Sequence, residues 1–280
     1  MKKLVLAIPN GSLYTTIMEM LKRAGIVINF SGRSFEAKIY NSNLFDRAIL
    51  MRPQKIPEAI VRGVADVGIT GFDWFTEKDL RKILKVIQKL NFGKISKEAV
   101  KIVVFGKANK IVDKKSITVS AEYVNLARTV FKNAKIDFSE GSTEIDVSTG
   151  VYDYGVGVCE SGQSLRDNGL KILQVIMESP VVLIAKKTTP ELKLLGEILN
   201  GTLDAEKRSL IKFDCTKKAK DAILNFLPAV DAPTVNRLSN GNYAIETVVY
   251  KNLISDLLSK LRIAGARKGS IIVQDINIIL

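Results

Sequence analysis

Two stretches of the chain share the pattern Gly-Val-x-Asp-x-Gly-aliphatic: Gly63-Val64-Ala65-Asp66-Val67-Gly68-Ile69 and Gly150-Val151-Tyr152-Asp153-Tyr154-Gly155-Val156. Each copy is typical of a helix end, a tight turn that carries Asp, and a buried strand that leads into a loop. Two such units predict two similar lobes with a cleft between them. Chance similarity over so short a pattern is the alternative that the sequence leaves open.

Strand-like and helix-like segments alternate around these stretches. Strands are predicted over 3–8, 48–51 and 67–69, and helices over 11–25 and 57–62. This alternation is the pattern of an α/β fold with largely parallel sheets.

The chain changes character near Thr188-Thr189-Pro190. An amphipathic helix is predicted over 191–203, and after it the order is strand, helix, strand, strand, helix, strand. The two helices of that order are predicted over 217–226 and 253–263. The order is that of a ferredoxin-like unit, βαββαβ, which predicts a small C-terminal regulatory module.

The residue composition excludes several kinds of chemistry. The 280 residues include no histidine, so a histidine general base, a histidine-activated nucleophile and histidine-ligated zinc are all excluded. The two cysteines, Cys159 and Cys215, have neither metal-ligand spacing nor a disulfide framework, which indicates ordinary buried thiols. Any chemistry therefore rests on carboxylates, backbone amides, basic side chains and a hard metal ion.

The net charge of +13 favours anionic partners. The basic residues are spread along the chain, and no basic–aromatic motif supports nucleic-acid binding. No apolar run approaches the roughly 20 residues of a membrane helix. The apolar run 4–8 stops at Pro9-Asn10-Gly11 and lacks the cleavage site of a signal peptide. We expect a cytoplasmic protein with neither nucleic acid nor a membrane as partner.

One loop has the features of a phosphate site. The segment Cys159-Glu160-Ser161-Gly162-Gln163-Ser164-Leu165-Arg166 follows an apolar strand and precedes a helix. Successive backbone N–H groups at a helix N-terminus suit a phosphate, and the two serines can add hydroxyl donors. Asp153, upstream on the same strand, could hold ribose hydroxyls or a metal-bound water. An ordinary N-cap and turn is the alternative interpretation.

Three further segments are predicted at the same rim, because ligands of open α/β sheets bind beyond the carboxyl ends of strands. Asn10-Gly11-Ser12-Leu13 is a second strand-to-helix turn. Arg52 ends a predicted strand, and Thr70-Gly71-Phe72-Asp73 follows another. Trp74, the only tryptophan, is assigned to the core or to packing between the lobes.

A family resemblance extends over nearly the whole chain. In the first part it is carried by Arg52-Pro53-Gln54-Lys55-Ile56-Pro57, residues 63–73, Leu90-Asn91-Phe92-Gly93, Gly141-Ser142-Thr143-Glu144 and residues 160–170. In the last part it is carried by Ala232-Pro233-Thr234-Val235, Glu246-Thr247-Val248-Val249 and residues 261–266. Taken in order, these segments resemble the long form of ATP phosphoribosyltransferase.

The resemblance implies a fold and a reaction. The implied fold is α/β, with a bilobal catalytic part like that of periplasmic binding proteins and a C-terminal ferredoxin-like regulatory domain. Lobe I would span 1–92 and 176–204, lobe II 93–175, and the regulatory domain 205–280. In the implied Mg²⁺-dependent reaction, N1 of ATP attacks the anomeric carbon of phosphoribosyl pyrophosphate and pyrophosphate leaves. Inhibition by histidine and assembly into homodimers or homohexamers are implied as well.

The resemblance also implies roles for single residues. Those implied at phosphoribosyl pyrophosphate are Glu160, Ser161, Gly162, Gln163 and Ser164, and those implied at the reacting groups are Asp153, Arg52 and Lys101. Those implied at the nucleotide are Gly11, Ser12, Thr70, Gly71, Asp73 and Asn91. Those implied at the histidine site are Asp231, Thr234 and Ala266. Mg²⁺ is implied mainly through the substrate phosphates.

Several of these positions depart from the usual family residues. Asn10 and Ser12 stand where the family usually has Lys and Arg, and Gly157 stands where it has Asp. Glu160 begins a segment that is usually Ser-Thr-Gly. Asn91 and Lys101 stand for Asp and Arg. A non-catalytic or altered-acceptor paralogue that binds nucleotide or phosphoribosyl ligands is therefore the alternative function.

Overall fold

The computed structural model describes residues 3–90, 99–112 and 116–280. The chain divides into two compact units, Met1–Gly196 and Glu197–Leu280. Two sheets belong to the first unit and one to the second. We call the part built on the six-stranded sheet lobe I, the part built on the five-stranded sheet lobe II, and the second unit the C-terminal unit.

Lobe I begins with the strands and helices of residues 3–90. In chain order these are β1 (Leu4–Pro9), α1 (Tyr14–Arg23), β2 (Glu36–Lys38), β3 (Phe45–Met51), α2 (Ile56–Val61), β4 (Val67–Gly71), α3 (Phe72–Glu77) and β5 (Lys85–Leu90).

Lobe II follows in the chain, and then the chain returns to lobe I. The elements of lobe II are β6 (Val100–Gly106), β7 (Thr118–Ala121), α4 (Val124–Val130), β8 (Lys135–Phe138), α5 (Thr143–Ser148), β9 (Tyr154–Cys159), α6 (Gln163–Asp167) and β10 (Lys171–Ser179). Strand β11 (Val181–Ala185) then joins the sheet of lobe I, and helix α7 (Pro190–Glu206) follows it.

The two sheets share an arrangement of four strands. In lobe I, β3, β1 and β4 are parallel neighbours and β11 runs antiparallel beside β4. In lobe II, β8, β7 and β9 are parallel neighbours and β6 runs antiparallel beside β9. Strands β2, β5 and β10 extend the edges in antiparallel pairs. The sheets are thus mixed, and the prediction of largely parallel sheets is wrong. Alternating strands and helices indicate the crossover connections of parallel neighbours, whereas antiparallel neighbours need no crossover helix and leave no such signal in the sequence.

The repeated sequence pattern adopts one structure twice. Gly63 and Gly150 both have positive φ, at 76° and 84°, which a glycine accommodates without strain. The Asp66 carboxylate accepts a hydrogen bond from the Val5 N–H at 2.8 Å, and Asp66 N–H donates to the Val5 carbonyl. Asp153 makes the same pair of bonds with Thr118, at 3.0 Å and 3.1 Å. Each Asp therefore fastens the start of its own strand to the neighbouring parallel strand.

The C-terminal unit has the predicted order of elements. These are β12 (Arg208–Cys215), α8 (Lys217–Phe226), β13 (Thr234–Arg237), β14 (Tyr243–Tyr250), α9 (Ile254–Ile263) and β15 (Ile272–Asp275). Their strands lie in the order β13-β14-β12-β15, and all paired neighbours are antiparallel. This is the ferredoxin-like topology.

The two faces of this sheet differ. Alternate residues of β12 are buried, and Ile211, Phe213 and Cys215 pack against Ile223 of α8 and Leu261 of α9. The residues between them, among which are Lys212 and Asp214, therefore face the opposite side. Within the described ranges, no helix is long and apolar enough to cross a membrane.

Candidate functional site

The rim of lobe I brings together the two segments that the sequence places there. Strand β1 ends beside β3, with Pro9 paired to Met51, so the residues that follow both strands are neighbours. A cavity of about 430 Å³ lies there, lined by Asn10, Gly11, Ser12, Arg52, Pro53 and Gln54. Gly11 has φ 80°, so the turn after β1 needs a glycine. Arg52 is exposed and supplies a cation at this rim.

Two loops of lobe II lie side by side. The Ser164 hydroxyl donates a hydrogen bond to the Glu144 carboxylate, which joins the start of α6 to the start of α5. Gly162 precedes α6 with φ 69°, and the Gln163 N–H donates to the Ser161 hydroxyl at 3.3 Å. The predicted phosphate loop thus forms a compact turn, with one of its two serine hydroxyls bound to a carboxylate.

The cleft predicted between the lobes is present as two cavities. The first, of about 390 Å³, is lined by Ser12, Leu13, Pro53, Gly71, Asp73, Trp74 and Val181 of lobe I and by Val100, Tyr123, Val158, Glu160 and Ser179 of lobe II. The second, of about 490 Å³, is lined by Arg52, Gln54 and Trp74 of lobe I and by Glu122, Phe138, Ser139, Glu140 and Gly141 of lobe II. Ser12 and Glu160, from the two predicted loops, therefore line one space.

Carboxylates dominate the charge on the lobe II side of this cleft. Burial raises the pKa of Glu122, and the negative charges of Asp73 and Glu144 raise it further. Arg52 contributes positive charge from the opposite wall. A ligand that brings its own cation, or a positively charged group, suits the Glu122 side.

Two of the residues predicted at the nucleotide have buried side chains that are hydrogen-bonded within the protein, and their assignment stays a prediction. Thr70 is fully buried, and its hydroxyl donates to the Pro53 carbonyl at 2.9 Å. The Asp73 carboxylate is 5% exposed and accepts hydrogen bonds from Tyr123 at 2.5 Å and from Ser179 at 2.6 Å. Burial raises the pKa of Asp73. Thr70 lies behind the wall of the cleft, whereas Gly71 and Asp73 both line the cavity.

The assignment of Asp153 to the reacting groups stays a prediction, and the position of Asp153 in the fold does not favour it. Asp153 precedes β9 and Glu160 follows it, so six strand residues, or about 20 Å, separate the two. The carboxylate accepts bonds from the Thr118 N–H at 3.0 Å and from the Thr118 hydroxyl at 3.2 Å. A strand runs straight, so a residue at its start cannot reach a loop at its end.

The remaining predicted residues of the first unit lie in different places. Lys101 is exposed on β6 and pairs with Cys159, the residue before Glu160. Asn91 lies outside the described residues. Both cysteines are free and buried, as predicted. Trp74 packs on Tyr123 of lobe II, with 4.5 Å between ring centroids, which confirms its placement between the lobes.

The C-terminal unit has its own cavity, of about 540 Å³, on the sheet face away from the helices. Its lining is Lys212, Phe213, Asp214, Asn236, Ala244, Ile245, Glu246, Arg267, Lys268, Gly269, Ser270 and Ile272. Both signs of charge are present, and Lys212 pairs with Glu246 at 2.9 Å. Asp214 and Lys212 were not among the residues predicted from the sequence. Their alternation with Ile211 and Phe213 along β12 was the signal that could have placed them on this open face.

Of the three residues predicted at the histidine site, Thr234 and Ala266 lie next to residues that line this cavity. Thr234 pairs with Glu246 across β13 and β14. Ala266 forms a bridge with Cys215, next to Asp214 and Arg267. Asp231 is exposed, and its carboxylate accepts the N–H of its own neighbour Ala232 at 2.8 Å. Asp231, like Thr234 and Ala266, is absent from the residues that line the cavity, whereas Asp214 lines it, and the assignment of Asp231 stays a prediction.

Comparison with known proteins decides the family. The family model described as ATP phosphoribosyltransferase matches residues 52–203, and the model of the HisG C-terminal domain matches residues 205–278. The chain belongs to the ATP phosphoribosyltransferase family. It is an enzyme of the glycosyltransferase type, in keeping with the family resemblance read from the sequence.

Several relatives of the same name cover nearly the whole chain. The ATP phosphoribosyltransferase of Desulforudis audaxviator is 31% identical over 281 residues, which covers 95% of this chain and 96% of that protein. The ATP phosphoribosyltransferase of Chlorobium luteolum is 30% identical over 292 residues, which covers 99% of this chain and 97% of that protein.

A solved structure of the same family name has a similar fold. The ATP phosphoribosyl transferase (HisG:HisZ) complex from Thermotoga maritima contains a chain with a TM-score of 0.55 and 24% sequence identity. The match covers 65% of this chain and 87% of that chain. Together with the C-terminal family match, it confirms the predicted α/β fold class with an added C-terminal module.

One departure from the usual ATP phosphoribosyltransferase residues is not forced by packing. A Cβ atom added to Gly157 would meet the Phe105 ring at 3.5 Å, an ordinary contact, and the residue has no positive φ. Gly157 is nevertheless buried in β9, so a carboxylate there would need a partner.

Enzymes of this family generally use a metal ion, and the donors of this chain can be tested for one. Within the described ranges, no group of three or more Cys, Asp or Glu side chains is arranged to hold a metal. Glu122 and Glu144 are nevertheless close enough for the charge of one to raise the pKa of the other. This donor set fits a hard cation that is held mainly by substrate phosphates, with one or two carboxylates added.

Proposed function

We propose that this chain transfers the phosphoribosyl group of phosphoribosyl pyrophosphate to N1 of ATP and releases pyrophosphate. The observation that carries the proposal is the cavity lined by both Ser12 of the lobe I rim and Glu160 of the lobe II phosphate loop. A transfer between two anionic substrates needs both of them in one space, and the positions of these two loops satisfy that condition.

The chemistry needs positioning more than proton transfer. The lone pair of adenine N1 forms a bond to the anomeric carbon while the bond from that carbon to the pyrophosphate oxygen breaks. The backbone amides of 161–163 would hold the 5′-phosphate, and Arg52 would bind phosphate oxygens from lobe I. Mg²⁺, when bound, supplies charge neutralisation at the pyrophosphate. Because pyrophosphate is a good leaving group, a chain without histidine can carry out this reaction.

Histidine as a feedback inhibitor is the second part of the proposal. The cavity of the C-terminal unit offers cations at Lys212, Arg267 and Lys268 and carboxylates at Asp214 and Glu246. An amino acid carries a carboxylate and an ammonium group, so a cavity with both signs of charge suits it. Thr234 and Ala266 border the same face and would contribute contacts. A homodimer or homohexamer completes the proposed assembly.

A non-catalytic or altered-acceptor paralogue is the second candidate. It is favoured by Glu160, which brings negative charge to the cavity, and by the Ser164 hydroxyl, which is already bound to Glu144. Both features oppose phosphate binding at the proposed loop.

Pyrophosphate release from purified protein with ATP, phosphoribosyl pyrophosphate and Mg²⁺ distinguishes these functions. We expect turnover that requires both substrates. Arg52→Gln should raise the KM for an anionic substrate by about tenfold or more, because a charge-assisted contact is lost. Lys55→Gln is the matched control, since this exposed cation lies three residues away and does not line the cavities.

Two other outcomes would each favour one of the alternative functions. Saturable binding of phosphoribosyl pyrophosphate without turnover would favour the non-catalytic paralogue. Turnover with a different nucleotide in place of ATP would favour an altered acceptor.

The effector site is tested by the histidine concentration that halves turnover. Asp214→Asn should raise this concentration about tenfold or more, because a charged contact of this half-buried carboxylate to the ammonium group is lost. Asp231→Asn, the matched control, should leave it at the wild-type value, since Asp231 is exposed and lies outside the cavity. The opposite pattern would return the site to Asp231.

A further inference from the structure

Helix α3 belongs to lobe I by chain order, but two of its carboxylates contact lobe II. Asp73 and Glu77 are four residues apart and so lie on one face of the helix. Both are nearly fully buried, at 5% and 7% exposure. Buried carboxylates are retained in proteins where hydrogen-bond donors satisfy them, so the partners of these two groups reveal what the helix is attached to.

The partners of Asp73 come from two separate parts of the chain. Tyr123, which precedes α4 and is 2% exposed, donates its hydroxyl proton to Asp73 at 2.5 Å. Ser179, the last residue of β10, donates to the other carboxylate oxygen at 2.6 Å and accepts the Asp73 N–H at 2.8 Å. Asp73 therefore ties α3 both to the core of lobe II and to the segment that leads back into lobe I.

Glu77 makes a second attachment one helical turn away. Its two carboxylate oxygens accept the N–H groups of Asn125 and Leu126, each at 2.9 Å, at the first turn of α4. The Asn125 side chain returns a bond to the Glu77 carbonyl at 2.9 Å. A carboxylate is favoured at a helix N-terminus, because the unpaired N–H groups there carry partial positive charge.

We propose that α3 is the rigid joint between the lobes and that Tyr123, through its bond to Asp73, is a positioning residue for the phosphoribosyl transfer. The joint forms the back wall of the cleft, since Asp73, Trp74, Tyr123 and Ser179 all line the cavity that Ser12 and Glu160 share. A change at the joint therefore alters the separation of the two substrate loops. The catalytic part of this inference rests on the proposed function.

Tyr123→Phe tests the joint, because it keeps the ring that packs on Trp74 and removes only the hydroxyl. Tyr152→Phe is the matched control. Its hydroxyl also donates to an aspartate, Asp137, at 3.1 Å, but both residues belong to lobe II. Trp74 is the only tryptophan of the chain, so acrylamide quenching of its fluorescence reports on the joint directly.

We expect Tyr123→Phe to lower kcat/KM for ATP about tenfold or more, because a buried bond to a charged group is lost. Its affinity for ribose 5-phosphate, a probe that needs only the lobe II loop, should stay at the wild-type value. Quenching of Trp74 should increase. Tyr152→Phe should match the wild-type protein in all three measurements.

Three results would overturn the inference. They are wild-type kcat/KM in Tyr123→Phe, unchanged quenching in that variant, and a loss of ribose 5-phosphate affinity in parallel with kcat/KM, which would indicate a local defect of lobe II. If Tyr123→Phe does not fold, Ser179→Ala tests the same joint with the same expected pattern. If the wild-type protein releases no pyrophosphate, the proposed function fails, and the quenching comparison still decides whether α3 is the joint.

Discussion

At the scale of single residues, aspartate has several different roles in this chain, and its position in the fold decides which role each one has. Asp66 and Asp153 fasten neighbouring strands, Asp73 attaches one lobe to the other, and Asp214 lines a cavity. A carboxylate needs donors wherever it is placed, so each role follows from the N–H and O–H groups that the fold brings near it. The sequence shows the carboxylate, and the fold supplies its donors.

Asp153→Ala should reduce stability and leave substrate binding intact. It removes the acceptor for the Thr118 N–H, and an unsatisfied donor of this kind costs about 1–3 kcal/mol in the free energy of unfolding. Urea unfolding measures the loss, and the KM for phosphoribosyl pyrophosphate should stay at the wild-type value.

Asp66→Ala is the control for this prediction, because Asp66 has the equivalent position in lobe I. Both variants should lose similar stability. A collapse of kcat in Asp153→Ala with unchanged stability would place the carboxylate at the reacting groups after all.

At the scale of elements, the repeated unit is held together by close packing at its second glycine. A Cβ atom on Gly68 would lie 2.4 Å from the Ile56 side chain, and one on Gly155 would lie 2.3 Å from the Phe105 ring. Both distances are far below van der Waals contact. Strands β4 and β9 can therefore approach their neighbours only because these positions have no side chain.

Gly155→Ala should destabilise the protein by about 1–3 kcal/mol, because overpacking shifts a buried aromatic ring. Gly157→Ala is a matched control two residues along the same strand, where the added Cβ meets Phe105 at an ordinary 3.5 Å. This second variant should unfold at the wild-type urea concentration or slightly above it. Equal destabilisation by both would show that the strand rejects any side chain, whatever its contacts.

At the scale of the whole molecule, the net charge of +13 acts on every anionic substrate. The attraction is long-range at low salt and is screened over about 10 Å at 0.1 M ionic strength. The excess positive charge is spread over the surface and is not concentrated in the cleft, because the lobe II side of the cleft carries Glu122, Glu140 and Glu160.

The KM for ATP should therefore rise several-fold between roughly 0.05 M and 0.5 M potassium chloride, while kcat changes little. Steady-state kinetics at constant pH measures this. Potassium acetate at equal ionic strength separates screening from chloride binding, since screening is common to both salts. A KM that is independent of salt would mean that local contacts alone bring the substrates in.

The sequence by itself determined the first strands and helices of lobe I, the two-lobed repeat, the C-terminal βαββαβ unit and the family. Alternation of apolar residues, turn glycines and the motifs at strand ends are local signals, and each is read over a few neighbouring positions. The rim residues Gly11, Ser12 and Arg52 were predicted together for the same reason, since each lies within three residues of the end of a strand.

Only the tertiary structure decided which side chains face the cleft. Thr70 lies within β4 and Asp73 lies two residues beyond its end. Nothing local in the sequence shows that Pro53, Tyr123 and Ser179 bind their polar groups. Asp153 and Asp214 show the same difficulty. Nothing near them in the sequence indicates that Asp153 binds the neighbouring strand or that Asp214 lines a cavity. The physical reason is that a polar group is bound or available according to partners distant in sequence, and those partners exist only once the chain has folded.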